Sequence, residues 1–343
     1  MKILAIESSC DDTSVSIVEN GKVLSNVISS QHFHSKYGGV IPELASRAHL
    51  SYIYEVLTQS LKESQVKISD IDAIAVTTEP GLIGSLLVGS NFGKGLAIKY
   101  NKPIIPVNHI EGHIYSGSLQ DSNVEFPYIT LVVSGGHTAL FYVESFSKYN
   151  ILGATVDDAA GEAFDKIASM LGLPYPGGPE IDRIAMNGNP KKYNFPRSMI
   201  NDHNFNFSFS GLKTSVKYFL EKEFQNNNFT TEIPDIAASL QQAIVDVLVK
   251  KTIDAAFEMN VNAIIIAGGV SANSLLREQM KSHAAKHNIQ VVAPDLQYCM
   301  DNAAMVGFLA EKKLQESGIA SFLNLTFRVN ASSIRAKKVK RNK

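Results

Sequence analysis

At 343 residues, 45% hydrophobic and 19% charged, the chain has material for one large core or two of ordinary size. A net charge of −1 excludes capture of nucleic acid by bulk charge, so such binding needs a local patch or a partner. Two cysteines, Cys10 and Cys299, exclude a secreted disulfide framework and fit a reduced cytoplasmic setting, and no apolar run reaches the roughly 20 residues of a membrane span.

The N-terminus, Met-Lys-Ile-Leu-Ala-Ile-Glu7, is apolar for too few residues to be a secretion signal. Lys2–Ile6 reads instead as a strand, Glu7–Thr13 as a turn, Ser14–Glu19 as an alternating strand, and Asn20-Gly21 as a hairpin turn before Lys22–Ile28. The first turn, Glu7-Ser-Ser-Cys-Asp-Asp-Thr13, gathers hydroxyls and carboxylates at the end of a strand, where ligands of α/β folds collect. Either these acids hold a cation or polar substrate, or they cap their own backbone in an ordinary turn.

Ile41–Ser64 has helical periodicity, Ala73–Thr77 is a buried strand, Gly81–Tyr100 a helix, and Pro103–Val107 a strand. Next comes Asn108-His-Ile-Glu-Gly-His113, predicted as a helix, with two histidines one turn apart on one face. Together with the distant Asp301 they offer two nitrogens and one oxygen, enough to hold a metal with coordination positions left open. The alternative is that Asp301 caps a helix over Asn302–Leu314. A zinc protease would place a glutamate next to the first histidine, whereas Glu111 lies roughly 200° around the helix from His109.

Tyr128–Val133 repeats the opening plan as a strand, followed by Ser134-Gly-Gly-His137 as a turn and Ala139–Val143 as a strand. The two hairpins read as duplicated halves. Gly135-Gly136 lets backbone amides approach a bound group, and Gly268-Gly269 after the strand Ala263–Ala267 reads as the matching turn of the other half, before a helix from about Ala272. Asp158–Leu171 and the amphipathic Asp235–Met259 are further helices, and Asn187–Ser210 reads as a polar surface excursion. Asp165, Gly178 and Asp182 are candidates to line a pocket for a hydroxyl-bearing ligand such as a ribose, and Asn273 to read a ribose or base. Neither glycine turn carries a dinucleotide fingerprint, and Gly93-Lys94-Gly95 fails the P-loop spacing. The end of the chain, with Arg335, Lys337, Lys338, Lys340, Arg341 and Lys343, is either a solvated terminus or weakly attracted to RNA.

Taken together, the chain closely resembles one family, the tRNA N6-adenosine threonylcarbamoyltransferases, known as TsaD in bacteria. The matching stretches are Ile6–Thr13, Gly38–Arg47, Pro80–Leu87, Asn108–His113, Val133–His137, Asp157–Lys166, Tyr175–Pro179, Phe207–Thr214, Gly268–Asn273 and Asp301-Asn302. They occur in family order from Lys2 to about Leu314.

The resemblance implies an α/β, two-lobed actin-like or Hsp70-like (ASKHA) fold with duplicated mixed sheets flanked by helices. It implies a first lobe of residues 1–127 plus 297–326 and a second of 128–296. No Ser- or Pro-type linker separates the halves, so they are expected to pack around a cleft, and 327–343, outside the match, reads as a flexible basic tail. It implies that His109, His113 and Asp301 hold one Fe(2+) per subunit, with zinc in some preparations. Val132, Val133, Ser134, Gly135, Gly136, Asp165, Gly178, Asp182 and Asn273 fall on positions that contact threonylcarbamoyladenylate. The reaction implied transfers the threonylcarbamoyl group to N6 of adenosine 37 in tRNAs reading codons that begin with A, releasing AMP and forming t6A. Asp11 and Glu7 are the catalytic candidates for steering or deprotonating the amine, and Lys213 is a candidate for tRNA phosphate. TsaB-like and TsaE-like proteins, and a separate synthase for the adenylate, are the implied partners, in the cytoplasm and away from membranes. A small-molecule kinase of the same fold leaves the histidines without use, and a scaffold protein would have no reason to keep them.

Overall fold

The computed structural model describes residues 1–119, 124–224 and 229–332. The basic cluster from Arg335 to Lys343 lies outside the described residues. By contact, residues 1–119 and 294–332 form one compact unit and residues 124–224 and 229–293 another.

The first unit is built on strands β1 (Lys2–Glu7), β2 (Asp12–Glu19), β3 (Lys22–Ser30), β4 (Ala73–Glu79) and β5 (Ile104–Asn108). They form one sheet in the order β3-β2-β1-β4-β5, antiparallel through β3-β2-β1 and parallel through β1-β4-β5. Strands β1 and β4 are buried on both faces, which is why their sequences run apolar without alternation. Helices α1 (Pro42–Ser64) and α2 (Ile83–Tyr100) supply Ile53, Val56, Leu57 and Ala97 to a core shared with Leu4, Ile6, Val15 and Val76. Each of the larger of these side chains, Val, Leu or Ile, contributes about 1.5–3 kcal/mol by leaving water. The short α3 (His109–Tyr115) begins directly at the end of β5, with Asn108 as its cap: its Oδ1 accepts from the Ile110 and Glu111 amides.

The second unit repeats the plan with β6 (Tyr128–Val133), β7 (Thr138–Ser145), β8 (Lys148–Ala154), β9 (Ala263–Ala267) and β10 (Gln290–Val292), ordered β8-β7-β6-β9-β10. Directions also repeat, since β6 is antiparallel to β7 and parallel to β9. Helices α4 (Ala160–Met170), α5 (Gly177–Ala185), α6 (Ser210–Phe224), α7 (Ile233–Glu258) and α8 (Ser274–Ala285) pack here. The short α9 (Leu296–Cys299) and α10 (Ala303–Ser317) belong to the first unit.

Three expectations require correction. The Gly268-Gly269 turn is not the counterpart of Gly135-Gly136 in another half: β6 and β9 are neighbours in one sheet, so both turns crown the same unit. Asn187–Ser210 is polar in composition yet is no mere surface excursion, because Phe195, Phe207 and Phe209 anchor it in the core. The helix expected from about Ala272 begins at Ser274, after a single 3-10 turn over Gly269–Ala272.

Candidate metal centre and ligand site

The duplicated hairpin reading holds, and the ends of β1 and β6 carry predicted site residues. At the end of β1 the chain places Glu7, which is wholly buried. Its Oε1 accepts the Ser9 amide at 2.6 Å, and its Oε2 accepts the Thr77 hydroxyl at 2.5 Å. The same Oε2 lies 3.1 Å from Nδ1 of His109, and Ser9 Oγ stands 3.1 Å from that nitrogen. A carboxylate only accepts, so Nδ1 donates to Glu7, which turns Nε2 away from it toward Asp301.

Nε2 of His109 faces Asp301 Oδ1 at 3.3 Å, and Nε2 of His113 faces the same oxygen at 3.1 Å. The two rings stand edge to face, 4.7 Å between centroids. All three donor atoms lie within 4.8 Å of one another. Atoms sharing an ion at about 2.1 Å are roughly 3.0 Å apart at a right angle and 3.4 Å at the tetrahedral angle. The two nitrogen–oxygen separations fall in that interval, so the residues fit a metal.

Electrostatics point the same way. Burial opposes charge on His109, but Asp301 and Glu7 on its two sides raise the ring well above the usual imidazole range. Burial raises Asp301, yet His109 and His113 hold it well below the ordinary carboxylate value. Glu7 is lowered, His109 overcoming burial. Two carboxylates around two imidazoles ask for a positive charge, which a cation supplies without protonating either ring.

Asp301 is not the cap of α10. That role belongs to Asn302, whose Oδ1 accepts the Met305 amide at 3.1 Å. Glu111 turns away from the histidines, as its spacing requires, and pairs with Lys313 at 2.7 Å. Asp11 is partly exposed in the turn after β1. Beside it Asp12 is pushed up to about 7 by burial first, then by Asp301 and Asp11. Burial, reinforced by Asp11, holds the Cys10 thiol well above its usual value.

In the second unit most of the other predicted residues lie along a series of contacts between its turns and helices. Val132 and Val133 are wholly buried strand residues; their side chains fill the core and their main chain is used by the sheet. After them Gly135 and Gly136 are exposed, with open space where a Cβ would stand. The Ser134 carbonyl accepts the Gly161 amide of α4. One turn along, Asp165 Oδ1 accepts the Gly177 amide at 2.7 Å, fixing the start of α5 and with it Gly178. Farther along α5, Asp182 accepts the Ser274 amide (3.1 Å) and hydroxyl (2.7 Å), next to Asn273, the cap of α8. The series ends at Gly268, where φ is +85° and a Cβ would stand 2.5 Å from the Val133 carbonyl. Gln241, buried on α7 and not singled out by its sequence, holds Asp182 Oδ1 at 3.0 Å. Lys213 lies half-buried on α6, lining an open groove of about 690 Å3 with Lys217 and Tyr218.

Comparison with known proteins gives this geometry a family. The model of TsaD, tRNA N6-adenosine threonylcarbamoyltransferase, matches residues 22–308. The protein of that name from Thermosipho africanus (strain TCF52B) is 52% identical over 322 residues, covering 94% of this chain and 96% of its own. Among solved structures, component A of (R)-2-hydroxyglutaryl-CoA dehydratase from Acidaminococcus fermentans matches with a TM-score of 0.57 at 15% identity, over 92% of this chain and 99% of its own. Full-length HypF, in its phosphate- and nucleotide-bound form, matches with a TM-score of 0.62 at 13% identity, over 92% of this chain and 47% of its own. These likenesses establish the actin-like ASKHA fold. The chain belongs to the TsaD family, transferases that form N6-threonylcarbamoyladenosine (t6A) in tRNA.

Proposed function

We propose that this member of the family takes the threonylcarbamoyl group from threonylcarbamoyladenylate and delivers it to N6 of adenosine 37, in tRNAs reading codons that begin with A. The observation that carries the metal-dependent form of this reading is the convergence of His109, His113 and Asp301 on one point. An imidazole pair with one carboxylate suits Fe(2+), one per subunit, and accommodates zinc. When bound, the ion supplies Lewis acidity toward phosphate or carbamoyl oxygen.

The chain's own residues do the rest by positioning and charge. An exocyclic adenine amine is a poor nucleophile because its lone pair is delocalised, so the donor must be activated; a mixed anhydride with phosphate is. The new N–C bond forms at the carbamoyl carbon as the C–O bond to phosphate breaks, and AMP leaves with the electron pair. We assign to Asp11, the partly exposed acid of the first turn, the proton that the amine sheds. Glu7, engaged by Ser9, Thr77 and His109, acts through the His109 ring.

The amides of Gly135 and Gly136 and the hydroxyl of Ser134 receive the adenylate, the Ser134 amide being spent on the His137 carbonyl within the turn, with Val132 and Val133 holding that turn from the core. Asp165 and Gly178 shape the α5 end of the pocket, and Asp182 and Asn273 its α8 end. Lys213 contacts tRNA phosphate. TsaB-like and TsaE-like partners, a cytoplasmic location and a separate adenylate synthase complete the reading; among the described residues no helix is long and apolar enough to cross a membrane. The test combines purified protein, partners, unmodified tRNA and the adenylate, followed by nucleoside mass analysis. The t6A nucleoside is expected without chelator and lost with it; unchanged yield in chelator refutes the metal-dependent form.

A further inference from the structure

Two of the family stretches have no part in the function above: Gly38–Arg47, with His49 just beyond it, and Pro80–Leu87. Both lead to residues that hold one backbone turn. His49, wholly buried on α1, places Nε2 2.9 Å from the Cys10 carbonyl and Nδ1 2.7 Å from the Thr13 hydroxyl. A carbonyl only accepts, so Nε2 carries the hydrogen and the bare Nδ1 accepts from Thr13. Burial lowers the His49 pKa, in keeping with a neutral ring.

From α2, the Ser85 hydroxyl donates to the same Cys10 carbonyl at 3.1 Å, while the Ser85 carbonyl accepts the Ser8 hydroxyl at 2.9 Å. The Leu82 amide donates to the Ser9 carbonyl at 2.7 Å. Gly81 lies so close that a Cβ there would stand 2.5 Å from that oxygen. Two successive carbonyls are thus held from two helices. The turn they fix carries the Ser9 hydroxyl against Nδ1 of His109 and the Ser9 amide against Glu7.

We propose that His49 and Ser85 clamp the Cys10 carbonyl and so set the Ser9–Asp12 turn against the His109 ring, making both positioning residues for the transfer reaction. The inference rests on His109 as a metal ligand. A second effect follows: the clamp tunes how firmly the histidines present themselves to an ion, before any substrate binds.

The test titrates the purified full chain with Co2+ alone, reading its visible absorption, and measures kcat and the adenylate KM with partners and tRNA. His49→Leu, which removes both bonds, should weaken Co2+ binding about 10-fold. It should lower kcat about 10- to 100-fold at an adenylate KM within about 2-fold of the parent. His49→Gln, which restores a donor near the Nε2 position, should recover most of both. Wild-type Co2+ affinity and kcat in a folded His49→Leu protein would overturn the clamp. Should that variant not fold, Ser85→Ala decides: kcat about 3- to 10-fold lower at unchanged KM supports the clamp, and unchanged kcat refutes it. His109→Ala separates the premises, since full turnover there sinks the metal reading, whereas its loss beside unaffected His49 and Ser85 variants sinks the clamp alone.

Discussion

At the end of β1 the chain turns through Glu7 to Asp12, and buried acids meet imidazoles and hydroxyls. At the corresponding end of β6 it turns through Ser134 to Gly136, where side chains all but vanish and exposed backbone takes their place. The two sheets share strand order and direction. One framework therefore presents side-chain charge in one unit and main-chain amides in the other. Buried acids beside imidazoles suit a cation, whereas glycine amides suit a phosphate that needs close approach without specific side chains.

The sharpest way to break this contrast is His109→Ala, expected to leave the fold intact and to lower turnover by about 1,000-fold or more if Lewis-acid activation operates. Metal content per subunit by mass spectrometry should fall with it, and full turnover in a metal-free variant would dissolve the distinction. Next, Glu7→Gln keeps the shape but weakens the hold on Nδ1. Metal affinity by competition titration should drop about 10- to 100-fold.

The backbone side of the contrast is probed by Gly136→Ala. A Cβ meets nothing within 4 Å there, so the melting temperature should hold. The adenylate KM should rise about 10-fold with kcat unchanged, the signature of lost uniform binding. A fall in kcat alone would mean that the glycine turn serves the chemistry.

The smallest effect concerns support of the second unit. Asp157 accepts the hydroxyls of Ser208 and Ser210 and the amides of Phe209 and Ser210, tying the approach to α4 to the start of α6. Burial opposes its charge, but those bonds, led by Ser208, lower its pKa below the usual value. A lowered carboxylate contributes stability above its unfolded pKa and loses it as pH falls through the folded one. Asp157→Asn should therefore cost about 1–3 kcal/mol at pH 7 by denaturant unfolding. The gap to wild type should start to narrow below about pH 4 and close as pH falls through the lowered folded pKa. A gap independent of pH would assign the loss to packing.

Much of this was legible in the sequence because it is local. The i, i+4 spacing put His109 and His113 on one face and turned Glu111 away, and the apolar runs marked β1, β4, β6 and β9. What escaped was long-range pairing. Nothing near Glu7 announces His109, 102 residues away, nor does Asp182 announce Ser274, 92 residues away. Two glycine turns looked like copies because sequence does not reveal which strands are neighbours; register across β6 and β9 does. The seven-residue β8, the three-residue β10 and the polar α6 lacked a strong period, so tertiary packing decided them.

The most direct measurement is the metal K-edge X-ray absorption spectrum of the chain loaded with one equivalent of Fe(2+) under anaerobic conditions. Two imidazole nitrogens and a carboxylate oxygen should account for the protein ligands, and His113→Ala should remove one imidazole contribution from the spectrum. An iron shell without imidazole, or one indifferent to that substitution, would contradict the account.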